Sequence, residues 1–341
     1  MTSSNEAVRV AIGGASSLLG KELNTWLEES NFPAIDIRLV DEEFAAGTLT
    51  EAGGEPAIIE TVTQESFERV RFAFFTGSAG FTQRHAEEAR RAGAVVIDLS
   101  GGLSADVKTK LWIPSLDATL SPPVVNVIPG EPQSLFEAPS APSDAAISIS
   151  AALAGAGLQR LVVTALQPVS EYGPDAIEEL ESQVVKLLSF QPVPQTVFDA
   201  QIGFNMLSSY GPESSLKLAE ARDRIARESR RYVEGRAPTP AIMLVQAPVF
   251  YSHTFTAYAE FKTAPDLEDL VSRLENAGLK VARAKDEPPT NVNIVGETRP
   301  VLRQPERDPG IETGVWIWGA ADNLRGPAAT AAASAQKLLA S

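Results

Sequence analysis

Val8-Arg9-Val10-Ala11-Ile12-Gly13-Gly14-Ala15-Ser16-Ser17-Leu18-Leu19-Gly20 is the stretch on which the fold turns. A short apolar run reaches a turn of small residues, and an amphipathic segment follows as far as Glu28. That order reads as strand, tight turn and helix, the opening unit of a parallel α/β sheet. Glycine is used in such a turn because a Cβ would block the bend and the approach of a pyrophosphate to the helix N-terminus. Here Gly14 and Gly20 bracket the pattern and Ser17 stands at its middle position, so the candidate cofactor contacts are Gly14, Ser16, Ser17, Leu18, Leu19 and Gly20. The other reading is a turn that only closes the strand onto the helix.

Outward from this unit, Ala34 to Val40 reads as a second strand ended by Asp41, and Arg71 to Phe75 and Ala94 to Ile97 as buried strands around a helix, Gln83 to Ala92. Strand and helix alternate over the first 130 or so residues, which predicts a doubly wound, Rossmann-like nucleotide-binding domain. Asp41 falls about 20 residues after the glycine turn, where a carboxylate accepts from ribose hydroxyls and repels a 2′-phosphate; Glu42 and Glu43 add to the repulsion. If a cofactor binds, NAD is expected rather than NADP, with a solvated acidic turn and no cofactor as the alternative.

Pro132 to Pro142 is rich in Pro, Ser and Ala and marks the passage to a second domain. Beyond it, helices are predicted over Ala145 to Ala156, Asp175 to Leu188, Glu213 to Glu234 and Ala264 to Ala277. Strands are predicted over Leu161 to Leu166, Ala241 to Phe250, Phe255 to Phe261 and Val315 to Gly319, with His253 in a short connection, and Pro327 to Ala340 forms an Ala-rich last helix. The fold class is α/β: residues 1–137 with 323–341 as the dinucleotide-binding domain, and 138–322 as an α+β domain, the last helix returning to the first domain.

Composition narrows the functions available. There are 29 Lys and Arg against 44 Asp and Glu, a formal charge of −15, and such a field repels nucleic acid and anionic membranes. No apolar run is long enough to span a bilayer, and Met1 to Val8 lacks the basic and apolar parts of a signal peptide, so a cytoplasmic protein is expected. The chain has no cysteine, which removes disulfides, thiolate metal sites and thiol nucleophiles together. With only His85 and His253 as histidines, no metal site is expected.

Several segments resemble one known family. Phe198-Asp199-Ala200-Gln201-Ile202-Gly203-Phe204-Asn205 is similar to its "QIAFN" segment, and Ala247-Pro248-Val249-Phe250-Tyr251-Ser252-His253 to its "VPVFxGH" segment. Leu166-Gln167-Pro168-Val169-Ser170 resembles "YQAVSG", Gly93-Ala94-Val95-Val96-Ile97-Asp98 resembles "GAVVIDNS", and Asp322-Asn323-Leu324-Arg325-Gly326 resembles "DNLRKG". Lys217-Leu218-Ala219-Glu220 echoes "KxxxET". By these residues, in this order, the chain resembles the aspartate-semialdehyde dehydrogenases, whose members reduce aspartyl phosphate to the semialdehyde through a cysteine nucleophile, a histidine and two anion-holding arginines. The resemblance implies a homodimer formed by the second domain, a dinucleotide site that includes Asn323, and a reaction centre at Gln167 and His253.

The same resemblance puts this chain's differences at the chemistry. The family's "PNCST" turn aligns with Pro142-Ser143-Asp144-Ala145-Ala146, so Asp144 stands at the nucleophile's position. A carboxylate there gives an anhydride, not a thioester, and cannot form the thiohemiacetal from which hydride leaves. Gln246 stands at the substrate-binding arginine, Ser104 follows the segment that leads to the phosphate-binding arginine, and Lys217 remains as a substrate-position candidate. The expectation is a divergent paralogue without the family activity, with NAD or a protein partner as its ligand, or an oxidoreductase on another small aldehyde or acyl substrate. Asp144 either caps the helix predicted from Ala145 or pairs with His253 as acid and base, and His253 is either a relic of the base or a packing residue.

Overall fold

The computed structural model describes residues 8–120, 122, 125 and 135–340. The chain divides into two compact units, one of Met1–Asp117, Pro122–Pro139 and Pro327–Ser341, the other of Ala118–Ser121 and Ser140–Gly326.

The first unit holds β1 (Val8–Gly13), α1 (Leu18–Glu29), β2 (Ala34–Asp41), β3 (Leu49–Ala52), β4 (Glu55–Ile58), β5 (Glu60–Thr61), β6 (Phe72–Phe75), α2 (Ala79–Arg91), β7 (Val95–Asp98), β8 (Lys110–Leu111) and β9 (Leu135–Glu137). Seven strands form a parallel sheet in the order β5-β2-β1-β6-β7-β9-β8, and β3 and β4 make a separate hairpin. Both faces are covered, which is why the strands read as unbroken apolar runs such as Phe72-Ala73-Phe74-Phe75. Val10, Ile12, Phe72 and Phe74 pack with Leu23 and Leu27 of α1 on one face; Ala11, Ala73 and Phe75 pack with Phe81, Ala86 and Ala89 of α2 on the other. The chain leaves β1 for β2 on one side and returns as β6 on the other, so the topological switch point lies at the carboxyl end of β1.

The second unit contains α3 (Ala141–Ala154), β10 (Leu158–Gln167), α4 (Pro174–Leu188), α5 (Leu218–Val233), β11 (Ala241–Gln246), β12 (His253–Phe261), α6 (Leu267–Asn276), β13 (Lys280–Ala282), β14 (Val301–Arg303), β15 (Glu306–Arg307) and β16 (Gly314–Ala321). Its mixed sheet runs β11-β10-β12-β16-β14-β13, with β15 on β16. Alternate residues of β10, β12 and β16 are buried, and α3 packs against these strands and against α5 and α6. Rich in Ala, Ile and Leu, α3 is buried from Ala141 to Leu153, with its Ser and Asp side chains enclosed as well. The last helix, α7 (Arg325–Leu339), brings Ala328, Ala331, Ala332 and Ala335 into the core of the first unit, where small side chains permit close approach.

Several boundaries differ from the sequence reading. Leu135–Glu137 is a strand of the first sheet and not part of a linker; Met1–Ala7 and Pro132–Ser134 lie outside the described residues. α3 begins at Ala141, because Pro142 sits in the first turn, where no backbone N–H is required. α5 begins at Leu218, since the segment before it bonds elsewhere: Glu213 N donates to Asp199 and Ser214 Oγ to the Val197 carbonyl. His253 is the first residue of β12, not part of a connection. Among the described residues no helix is long and apolar enough to cross a membrane.

Candidate functional site

In the first unit the glycine turn is held by close backbone contact. Gly14 has φ +81°, and a Cβ on it would fall 2.2 Å from Gly77 N; a Cβ on Gly20 would fall 2.5 Å from the Gly14 carbonyl oxygen. Both positions need glycine for the turn and for helix–sheet packing. Ser17, the residue that departs from the glycine pattern, is the N-cap of α1: its Oγ accepts from Gly20 N at 2.9 Å and donates to the Thr76 carbonyl at 3.1 Å. Leu18 and Leu19 form the first turn of α1. Asp41 is buried, with one oxygen accepting from Ser16 N and the other from Glu42 N, both at 2.8 Å. The carboxylate at the end of β2 therefore locks the turn in place beside the switch point. This strand, turn and helix are the shape that accepts a dinucleotide's phosphates at a helix N-terminus.

Ser104, also in the first unit, does not stand free for an anion. Its Oγ donates to the Gly101 carbonyl at 2.9 Å, inside a loop drawn together by buried Asp98, which accepts from Ser100 N and Leu103 N.

In the second unit, sheet register assembles the other candidates at one end. β10 and β11 are parallel, with Gln167 beside Gln246; β12 runs antiparallel to β10 and begins with His253, which faces Ala321 at the end of β16. Asp322 and Asn323 follow directly. Asn323 is buried: its Oδ1 accepts from Ser252 N at 2.9 Å and its Nδ2 donates to Ser170 Oγ at 3.0 Å. These bonds set the turn before His253, where Ser252 has φ +65°. His253 is fully buried, and its Nε2 lies 3.0 Å from Glu171 Oε1. The histidine thus pairs with Glu171, and the pairing with Asp144 entertained from the sequence does not form.

Asp144 is likewise not a helix cap. It lies within the first turn of α3, where Oδ1 accepts from Ser148 Oγ at 2.8 Å and Oδ2 accepts from Arg299. Arg299 also donates to Ser148 Oγ at 2.9 Å, closing a three-residue ring. The ion pair is largely buried, the aspartate side chain 5% and the arginine 15% exposed, beside a shallow cleft edged by Ala141, Glu297, Ala321 and Asp322.

Gln246 is fully buried and completely engaged. Its Oε1 accepts from Tyr210 OH at 2.7 Å, and its Nε2 donates to the carbonyls of Gln167 and Ala247 at 2.9 and 3.0 Å. Gln167 Nε2 approaches Tyr210 OH at 3.5 Å. Burial, with the neighbouring Tyr172, pushes the Tyr210 hydroxyl well above the usual phenol range. Lys217 Nζ donates to the Ser214 and Pro212 carbonyls, just before α5.

Residues 9–126 match the model of the semialdehyde dehydrogenase NAD binding domain, and residues 151–326 that of the semialdehyde dehydrogenase dimerisation domain. The chain belongs to the semialdehyde dehydrogenase family. It is 29% identical to a "USG-1 protein homolog" of Azotobacter vinelandii over 98% of both chains, and 25% identical to "Aspartate-semialdehyde dehydrogenase 2" of Vibrio cholerae over the same share. Among solved structures it is similar to a probable aspartate-semialdehyde dehydrogenase from Pseudomonas aeruginosa, at TM-score 0.87 and 26% identity over 98% of each chain.

Within this semialdehyde dehydrogenase framework, the sequence reading missed Arg299, Ser148, Glu171 and Tyr210. Glu171 had a signal, since it directly follows the segment resembling "YQAVSG" up to Ser170. Arg299 had none: a lone arginine in a loop before β14 is indistinguishable from a solvated surface residue until the chain folds. Chemically, the arrangement offers a neutralised carboxylate at residue 144, a buried imidazole paired with the partly exposed Glu171 carboxylate, and hydrogen-bond donors without a free cation at residues 246 and 104.

Proposed function

We propose that this chain is a semialdehyde dehydrogenase family member that keeps dinucleotide binding and self-association but not the thiol-dependent reduction of aspartyl phosphate. The observation that carries the reading is the Asp144–Arg299 pair. At the position where the resemblance puts the nucleophile stands a carboxylate already neutralised by a guanidinium and a hydroxyl. Such a group is a weak nucleophile twice over, by its chemistry and by its partners. Gln246 supports the same reading, because every side-chain hydrogen-bonding atom it would offer a substrate carboxylate is engaged within the protein.

NAD is the proposed dinucleotide in preference to NADP. Asp41 keeps a carboxylate at the end of β2, and Glu43 in the turn that follows adds a second negative charge. The turn from Gly14 to Leu19 would hold the phosphates, and the bound nicotinamide would accept or supply hydride. The proposed assembly is a homodimer through the second sheet. On the sheet face away from α3, Met243, Thr164, Thr256 and Trp318 make one cross-strand row and Ala241, Val162, Tyr258 and Trp316 the next. Met243, Trp316 and Trp318 are 45, 44 and 37% exposed, an apolar surface that a second copy would cover. A cytoplasmic setting belongs to the same proposal.

The direct test follows absorbance at 340 nm with aspartate semialdehyde, phosphate and NAD or NADP, alongside a fluorescence titration with NADH. Binding of NADH without turnover is expected; phosphate-dependent turnover by the untouched protein would overturn the reading. A second reading, oxidation or reduction of a different small aldehyde or acyl substrate without a covalent thioester, is favoured by one observation, the Glu171–His253 pair. A buried imidazole on a carboxylate is an acid–base arrangement that needs no thiol. Turnover of any aldehyde that is lost in His253→Gln would support it.

A further inference from the structure

Glu42 and Arg84 form an ion pair in the first unit, Arg84 Nη2 to Glu42 Oε1. Its placement matters more than its strength. Glu42 directly follows β2, and Arg84 lies on α2, the helix that follows β6. In the sheet, β1 runs between β2 and β6. The pair therefore links elements on the two sides of β1, at the carboxyl end where the chain reverses its direction of winding and where open α/β sheets receive their ligands. Arg84 folds back along its own helix, because a Cβ built on Gly80 would lie 3.5 Å from Arg84 Nη1. That brings a guanidinium to the first turn of α2, already the positive end of a helix dipole. The anion that balances this charge is Glu42.

We infer that Glu42 and Arg84 together set which dinucleotide this unit accepts, with Glu42 acting as a built-in competitor for the arginine that a 2′-phosphate would need. The inference rests on the dinucleotide reading above and deepens it. With Glu42 in place, Arg84 is neutralised, a ribose with a free 2′-hydroxyl meets no net cation, and a 2′-phosphate meets carboxylates. With the Glu42 charge removed, Arg84 becomes a cation without a counter-ion at the adenosine end of the cleft, and a planar fork of donors is suited to a phosphate. Both side chains are partly exposed, 33% for Glu42 and 55% for Arg84, so the pair is screened and can open without unfolding its neighbours.

The test compares NADH and NADPH titrations of the full-length protein and of Glu42→Gln, Glu43→Gln, Arg84→Met and Glu42→Gln/Arg84→Met at low salt. Glu43→Gln removes one charge from the same turn, and Glu43 has no part in the pair. The untouched protein is expected to prefer NADH. Glu42→Gln should tighten NADPH by about tenfold while NADH changes by less than about threefold, the scale of one unpaired charge at a surface cleft. Adding Arg84→Met should cancel that gain. An unchanged NADPH-to-NADH ratio in Glu42→Gln, an equal shift in Glu43→Gln, or a gain that survives in the double variant would each overturn the inference while leaving dinucleotide binding intact. Absence of binding of either dinucleotide to every protein in the set would overturn the dinucleotide reading, and this inference with it. Circular dichroism confirms that each variant is folded before titration.

Discussion

Arg299 donates to the Asp144 carboxylate from 155 residues further along the chain, and Ser148, one turn beyond Asp144, completes the ring by bonding to both. The pair closes over the start of α3, the most completely buried helix of the second unit. Removing one partner leaves the other buried and uncompensated. Arg299→Met and Asp144→Asn should each cost about 3–5 kcal/mol in urea denaturation. Asp144→Asn/Arg299→Met should cost clearly less than the two single changes added together, because neither charge is stranded. Strict additivity in that double-mutant cycle would show that the two residues do not act as a unit.

Restoring the thiol should not restore the family reaction. Asp144→Cys supplies a nucleophile but removes the partner of Arg299, so the variant is expected to be less stable by a few kcal/mol and inactive toward aspartate semialdehyde with phosphate and NAD or NADP. Adding Gln246→Arg forces a cation into a fully buried position whose neighbours are two carbonyls and a tyrosine hydroxyl. It should lower stability further and recover no turnover. Measurable phosphate-dependent reduction of NAD by Asp144→Cys alone would refute this.

Alkaline stability should depend on Tyr210. Burial raises its hydroxyl above the usual phenol value, so the folded state holds the proton at a pH where the unfolded chain releases it. The stabilisation is complete below about pH 10, the unfolded value, and is lost as pH climbs from there toward the raised native value. Tyr210→Phe should cost about 1–3 kcal/mol at neutral pH, because Gln246 Oε1 loses its donor. The same variant should show a shallower loss of stability above pH 10 than the parent. Parallel curves for parent and variant over that range would exclude Tyr210 as the group responsible.

The two cross-strand rows on the second sheet predict how the proposed dimer would respond to substitution. Trp318→Arg sets a charge at the end of the row Met243, Thr164, Thr256, Trp318, and should shift sedimentation at micromolar concentration from dimer to monomer. Far-ultraviolet circular dichroism should be unchanged, because Trp318 faces away from α3. A dimer that persists undiminished would move the contact to another surface.

The strand, turn and helix at Val8–Glu29 were legible because backbone conformation there follows local pattern. An apolar run, glycines at positions where a Cβ collides with neighbouring backbone, and a helix with buried Leu23 and Leu27 leave few other structures open. The Ala-rich last helix was legible for a similar reason. Boundaries failed where tertiary bonds competed with helical ones, as at Glu213 and Ser214, whose polar atoms bond to the segment around Val197 and Asp199.

The sequence by itself determined that no thiol chemistry is available and that the first half is a parallel α/β sheet, and it put Gln167, Gln246 and His253 forward as candidate site residues. It could not determine the partners of those residues. A side chain's charge and hydrogen-bonding capacity are properties of the residue, whereas the group that satisfies them is set by register and packing between segments far apart in the chain. So only the tertiary structure decided that Asp144 faces Arg299 and not His253, that His253 pairs with Glu171, and that Gln246 is spent on Tyr210 and two carbonyls. Most polar groups in a buried site find a partner, and the one found is among those the fold brings within reach.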